Sequence, residues 1–206
     1  ILYIFTLMVS PFLLNIALGS FQPLRSLESL PFIVGISIFI LVKMCNNKFI
    51  KNCVFALVIL MTFYQAQSTS KLYFGDYIRY KQDVEMGNNI EKRIQDLDID
   101  NAYNYPVVYI GSNSHDDNNN FIVKNEVLGY SFFEWDCGNI TRIRNFMQIL
   151  GNNYKMPSDI EIEKAYEISK DMEVWPKVGS VQFRNNLIIV KLSDPVPIWK
   201  ERYNID

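Results

Sequence analysis

Two groups of charged side chains in this chain have the types and spacing needed to bind a polar ligand. Asp76, Arg79 and Asp83 recur at intervals of three and four residues, so on a helix they share one face. Arg25 lies in a short segment between apolar blocks, and its planar guanidinium suits two-point contact with a phosphate. Each group also has a plainer interpretation. The helix face could be a solvated surface linked by ion pairs, and Arg25 could be an interfacial anchor or pair with Glu28.

A third candidate combines aromatic rings with acidic groups. The segment 132–136 (FFEWD) carries two carboxylates among its aromatics, a mixture that resembles a carbohydrate-contacting surface, and Trp135 could stack on a sugar ring. In a small domain such a cluster is also typical of core packing. The tyrosines at 73, 77 and 80 are interpreted as an interfacial aromatic belt. The predicted substrate-binding residues are Arg25, Asp76, Arg79, Asp83 and Trp135.

The sequence does not predict a metal or cofactor site. His115 is the single histidine, which excludes a multi-histidine zinc site. The polar segment 115–120 (HDDNNN) offers oxygen atoms, but it lacks the alternating ligands and terminal glutamate of a calcium loop. We therefore interpret it as a solvated turn and expect neither a metal nor a cofactor.

The elements that must position these residues begin with three apolar blocks, at residues 1–18, 30–45 and 49–66. Across residues 1–66 the formal charges all lie in or beside the connecting segments: Arg25, Glu28, Lys43, Lys48 and Lys51. Crossing about 30 Å of hydrocarbon takes about 20 apolar residues in a helix. The sequence therefore predicts three transmembrane helices.

Loop charge predicts the orientation of these helices. Lys43, Lys48 and Lys51 surround the basic connector, which the positive-inside rule assigns to the cytoplasm. The segment after residue 66 is then extracytoplasmic in a multi-pass membrane protein. Residues 1–66 hold four basic groups and one acidic group. Subtracting these from the totals of 20 and 22 leaves sixteen and twenty-one in residues 67–206, a net charge of −5. An acidic domain does not favour nucleic-acid binding.

The polar remainder predicts a small α/β or α+β domain with about three strands. Residues 67–98 form a juxtamembrane amphipathic helix in this prediction, and residues 99–206 form the domain proper. A hairpin is expected around Asn185 and Asn186, because asparagine tolerates the left-handed turn conformation. The predicted strands are 106–111, 180–184 and 187–192, and the predicted helices are 139–151 and 157–172.

Several segments, taken in order, resemble the C-terminal third of the Gtr type II family of bacterial membrane glucosyl transferases. The similar segments are GSFQPLRS at 19–26, YQAQ at 64–67, DYIRYKQD at 76–83, PVVYIG at 106–111 and IIVKL at 188–192. The resemblance implies transfer of glucose from a polyprenyl-phosphate carrier to a cell-surface polysaccharide on the outer face of the membrane. It implies as partners the lipid-linked sugar donor, the polysaccharide acceptor and membrane lipid.

Within that resemblance, Arg25 would contact the departing phosphate, and the three charged residues near position 80 would belong to the acceptor or carrier-phosphate site. The catalytic base is expected on an early external loop upstream of Ile1, so no catalytic residue is identified. An alternative hypothesis is a non-enzymatic one, in which the membrane segment tethers an extracytoplasmic binding or assembly module.

Overall fold

The computed structural model describes Thr6, Val9 and residues 12–19, 30–115, 124–125 and 128–205. The chain divides into two compact units, Ile1–Ser70 and Lys71–Asp206. The described α-helices are α1 Leu13–Leu18, α2 Leu30–Met44, α3 Lys48–Gln95, α4 Trp135–Gly138, α5 Ile140–Ile149, α6 Asp159–Ser169 and α7 Pro197–Arg202. A 3-10 turn covers Ala102–Asn104, and the strands are β1 Val107–Ile110, β2 Val181–Arg184 and β3 Leu187–Lys191.

The prediction of three transmembrane helices is wrong. Among the described residues one helix, α3, is long and apolar enough to cross a membrane. Helix α2 has 15 residues, which at 1.5 Å per residue span about 22 Å, less than the hydrocarbon thickness. In the first block the described helix α1 has six residues. Helix α2 ends at Met44, before the connector 45–47, so apolar composition there does not extend over enough helical residues for a span.

Helix α3 runs without a break from Lys48 to Gln95, through the boundary predicted between residues 66 and 67. No residue in the apolar window of this helix is buried in a core. Its C-terminal part instead contributes buried residues at helical spacing to the core of the second unit: Met86, Ile90 and Ile94. One helix therefore carries both an exposed apolar segment and a core-packing segment.

The sheet has the strand order β1-β3-β2. Strand β1 pairs in parallel with β3, from Val107 opposite Ile188 to Ile110 opposite Lys191. Strands β2 and β3 form the predicted antiparallel hairpin, and both Asn185 and Asn186 have positive φ. All residues of β1 and β3 are buried, the pattern of strands covered on both faces.

Local signals fix the ends of the helices that cover the sheet. The Asn139 side chain accepts hydrogen bonds from the Thr141 and Arg142 amides and begins α5. Ser158 and Glu161 form a capping box at the start of α6. Both helices match the predicted segments, whereas α7 was not predicted.

Close backbone contact joins α4 to the end of β1. Gly138 has φ +83°, and a Cβ built on it would lie 1.9 Å from the Gly111 carbonyl oxygen. The Gly138 carbonyl also accepts a hydrogen bond of 3.2 Å from Nε1 of the fully buried Trp199. Only glycine fits here, because a side chain would meet backbone atoms.

We expect Gly138→Ala to lower the free energy of unfolding by clearly more than Gly151→Ala. Both glycines have positive φ, but a Cβ on Gly151 would meet nothing within 4 Å. The control should therefore lose about 1 kcal/mol for backbone strain, and Gly138→Ala should lose this plus the cost of the clash. Chemical denaturation of the full chain measures both. Equal losses would contradict the assigned contact.

Candidate functional site

A cavity of about 420 Å³ opens within the second unit. Six aromatic residues and two carboxylates line it: Tyr73, Asp76, Tyr77, Tyr80, Asp83, Tyr130, Phe132 and Trp135. This volume lies within the range of about 300–1,000 Å³ typical of small-molecule sites. Three of the predicted substrate-binding residues, Asp76, Asp83 and Trp135, thus line one cavity.

One wall of the cavity is a face of helix α3. Tyr73, Tyr77 and Tyr80 recur at intervals of three and four residues, with 64%, 51% and 45% of their surfaces exposed. The opposite wall comes from the segment 130–135. Tyrosines that the sequence assigned to an interfacial belt therefore line the cavity, with rings that remain accessible.

Asp83 holds the two walls together. Its carboxylate is fully buried, and its Oδ1 accepts hydrogen bonds from Ser131 Oγ at 2.5 Å and His115 Nε2 at 2.8 Å. Its Oδ2 accepts one from the Phe132 backbone amide at 2.8 Å. A buried carboxylate needs such partners, because its desolvation is otherwise unfavourable. Asp83 therefore fixes the segment that carries Tyr130 and Trp135 against helix α3.

Asp76 is the more accessible carboxylate of the cavity. It is half-buried, and its Oδ1 accepts a hydrogen bond of 3.0 Å from the Gly129 amide. Its second oxygen makes no hydrogen bond or ion pair with any residue that the structure describes. That oxygen can accept a hydrogen bond from a ligand.

Arg79 lies behind the cavity wall rather than on its surface. Only 1% of its surface is exposed. Its guanidinium donates to the carbonyl oxygens of Ser114 at 2.7 Å and Gly129 at 3.3 Å, and to Gln82 Oε1 at 3.3 Å. These contacts hold the segments around Ser114 and Gly129 against α3. The geometry gives Arg79 a positioning role, whereas the sequence placed it either in the acceptor or carrier-phosphate site or on a solvated helix face.

Trp135 is held by an unusual backbone segment. It is followed by Asp136, Cys137 and Gly138, with φ of 52°, 59° and 83°, so three successive residues adopt the left-handed conformation. Non-glycine residues in this conformation store strain, and such strain concentrates at functional sites. The Arg142 guanidinium lies 5.1 Å from the centroid of the indole ring. The Tyr130 ring lies 6.0 Å from it, centroid to centroid.

Two candidates from the sequence have other outcomes. Arg25 lies outside the described residues. His115, considered only as a metal ligand, contacts Asp83 instead, while residues 116–120 of the same polar segment also lie outside the described residues. Sequence analysis missed Tyr130 and Ser131. Their one local signal was the preceding Gly129, which has positive φ and marks a turn.

A second buried carboxylate stabilises the unit away from the cavity. Glu91 accepts hydrogen bonds from Tyr154 at 2.7 Å and Tyr103 at 3.3 Å. Burial and the hydrogen bond to Glu91 raise the pKa of Tyr154, and burial and the charge of Glu91 raise the pKa of Tyr109. The pKa of Tyr103 is raised by the same causes, with burial first. Tyr154 and Tyr103 donate to the Glu91 carboxylate, and Tyr109 lies near it. This cluster therefore has a structural role.

The chain matches no protein-family model, and comparisons with curated proteins and with solved structures gave no significant match.

We expect Asp83→Asn to lower the free energy of unfolding by about 1–3 kcal/mol, because the amide turns one buried acceptor into a donor that faces other donors. Asp76→Asn is the matched control on the same helix. Its amide oxygen can still accept from Gly129, so the loss should stay below about 1 kcal/mol. Denaturation curves of both variants test this. Equal losses would show that Asp83 is not the connecting group.

We expect stability to fall as pH rises above 10, the ordinary tyrosine pKa. Tyrosines whose pKa is raised in the folded state stabilise it fully below that pH and lose this contribution above it, because the unfolded chain then releases protons more readily. In Tyr154→Phe the fall should be shallower, by at most about 1.4 kcal/mol per pH unit. Unfolding curves between pH 8 and 11 measure the slope. Identical slopes would contradict the raised pKa of Tyr154.

Proposed function

We propose that residues 71–206 bind a cell-surface saccharide in the cavity between α3 and the segment 130–135. The observation that carries the proposal is the combination of accessible aromatic rings with the free carboxylate oxygen of Asp76. Sugar rings have apolar C–H faces that pack on aromatic side chains and hydroxyl groups that donate to carboxylates. The cavity offers both kinds of contact within one small volume.

The enzymatic part of the proposal is that this saccharide is the acceptor of a glucosyl transferase that uses a polyprenyl-phosphate donor. The resemblance described above supports it, and the cavity supports the assignment of acceptor binding to this unit. Asp83 and Arg79 do not contact the reacting groups in this proposal; they position the wall that carries Trp135.

The proposed location is the outer face of a membrane, with α3 as the attachment. The window of α3 that meets the length and composition of a membrane span is unburied. Lys43 precedes α3, Lys48 and Lys51 lie in its first turn, and the acidic unit follows its apolar part. By the positive-inside rule, the lysines favour the cytoplasmic side and the acidic unit the other side.

A cationic ligand is the second candidate for this cavity. Aromatic rings around a carboxylate are also the surroundings that quaternary ammonium groups prefer. The Lys81 ammonium lies 4.8 Å from the ring centroid of Tyr77, within the range of a cation–π contact. Tetramethylammonium therefore belongs among the ligands tested.

We expect Trp135→Ala to weaken saccharide binding up to about tenfold, because a stacked ring contributes up to about 1.4 kcal/mol. Asp76→Asn should weaken it about fivefold through a weaker hydrogen bond. Isothermal titration of the full chain in detergent, with methyl glucoside, galactoside, mannoside and rhamnoside, measures the Kd values. Asp171→Asn, an exposed carboxylate elsewhere in the unit, is the control and should leave Kd unchanged.

The proposal is rejected if none of these glycosides binds the wild-type chain. Binding of tetramethylammonium alone, lost in Trp135→Ala, would favour the cationic ligand instead. Transfer assays then distinguish the two functional hypotheses. In the enzyme, Trp135→Ala should raise KM for the acceptor with little change in kcat, because the ring contributes uniform binding. Saccharide binding without transfer by the complete protein would favour the tethered binding module.

A further inference from the structure

A second cavity of about 330 Å³ adjoins the first, because Tyr130 and Trp135 line both. Its other lining residues are Glu134, Asp136 and Cys137. The two aromatic side chains thus stand between neighbouring spaces. A ligand that passes over them would contact both cavities at once.

Glu134 provides the second observation. Its Oε1 pairs with Lys124 at 2.7 Å, but its Oε2 is buried and has no hydrogen-bond partner among the described residues. Buried acceptors are nearly always satisfied, so an exception in a residue that lines a cavity requires an explanation. A hydrogen-bond donor supplied by a ligand would satisfy this oxygen once the carboxylate turns Oε2 toward the cavity.

The charges around the second cavity favour a neutral donor. Lys124 neutralises Glu134, and the Arg142 Nε lies 2.6 Å from Asp136 Oδ2. A cationic ligand would meet two fixed cations, and an anionic ligand would meet two carboxylates, one with an unsatisfied oxygen. Hydroxyl groups donate without net charge and avoid both conflicts.

We propose that the second cavity is a subsite for the adjacent sugar of the same chain, so that the ligand is an oligosaccharide whose two neighbouring residues lie on either side of Tyr130 and Trp135. This proposal rests on the proposed saccharide function of the first cavity. A hydroxyl of the second sugar donates to Glu134 Oε2 after the carboxylate rotates to bring this oxygen to the cavity surface. The unit thereby selects a polymer over a free monosaccharide.

The test compares methyl hexosides with the corresponding disaccharides by isothermal titration of the full chain. We expect the preferred disaccharide to bind at least about tenfold more tightly than its monosaccharide, as expected for one additional well-made hydrogen-bonded contact. In Glu134→Gln this ratio should fall close to one. Glu167→Gln is the matched control, because Glu167 is also paired with a lysine at 2.7 Å but is exposed and lines neither cavity. Its ratio should equal that of the wild type.

A second measurement does not depend on how Glu134→Gln folds. Cys137 lines the second cavity, and the chain has two other cysteines, Cys45 and Cys53. With those two replaced by serine, a saturating disaccharide should slow alkylation of Cys137, whereas a saturating monosaccharide should slow it less.

The outcomes separate this proposal from the one it rests on. The second subsite would be overturned, and the first retained, by three results together. Monosaccharide binding would depend on Trp135, the disaccharide would bind with equal affinity, and the alkylation rate at Cys137 would not change. Absence of binding by every saccharide would overturn both. A disaccharide advantage that disappears in Glu134→Gln, with Cys137 protected, would support the subsite.

Discussion

The buried carboxylate of Asp83 is the interaction on which the rest of the candidate site depends. It receives hydrogen bonds from His115, Ser131 and the Phe132 amide, so one side chain of α3 fixes two segments that are distant in sequence. Removing one charged acceptor from such a group leaves several buried donors without partners. Arg79, one turn earlier, donates to carbonyl oxygens of the same two segments and also holds them against α3.

The residues that position the cavity wall differ from those that a ligand can contact. Asp83 and Arg79 are buried behind the wall, whereas the accessible surface presents aromatic rings and the second carboxylate oxygen of Asp76. Phe132 stacks on Phe146 of the core at 4.5 Å, which ties the wall to the body of the unit. A surface of this kind offers a ligand apolar faces and a hydrogen-bond acceptor at a fixed position.

Elements specified by local signals could be predicted from the sequence. Asn185 and Asn186 specified the hairpin, and Asn139 specified the start of α5. Apolar composition alone predicted three membrane-spanning helices and was wrong, since α2 stops after 15 residues. Placing Asp76 and Asp83 on a common helix face was possible from their spacing, but their partners lie 32 to 53 residues away in sequence and have no local signature. One feature of the sequence does point to a buried Asp83. It lies two helical turns before Ile90, which is buried, so a charged residue stands on the core-facing side of the helix.

The left-handed run at residues 136–138 has a consequence for ligand affinity. Its backbone rests on Gly111 at the end of β1, so the orientation of the indole before it is determined by the sheet rather than by mobile side chains. A receptor that is already in its bound geometry loses little conformational entropy on association. A ligand at Trp135 should therefore bind without a conformational change of the protein backbone, which should be nearly the same in the free and bound states.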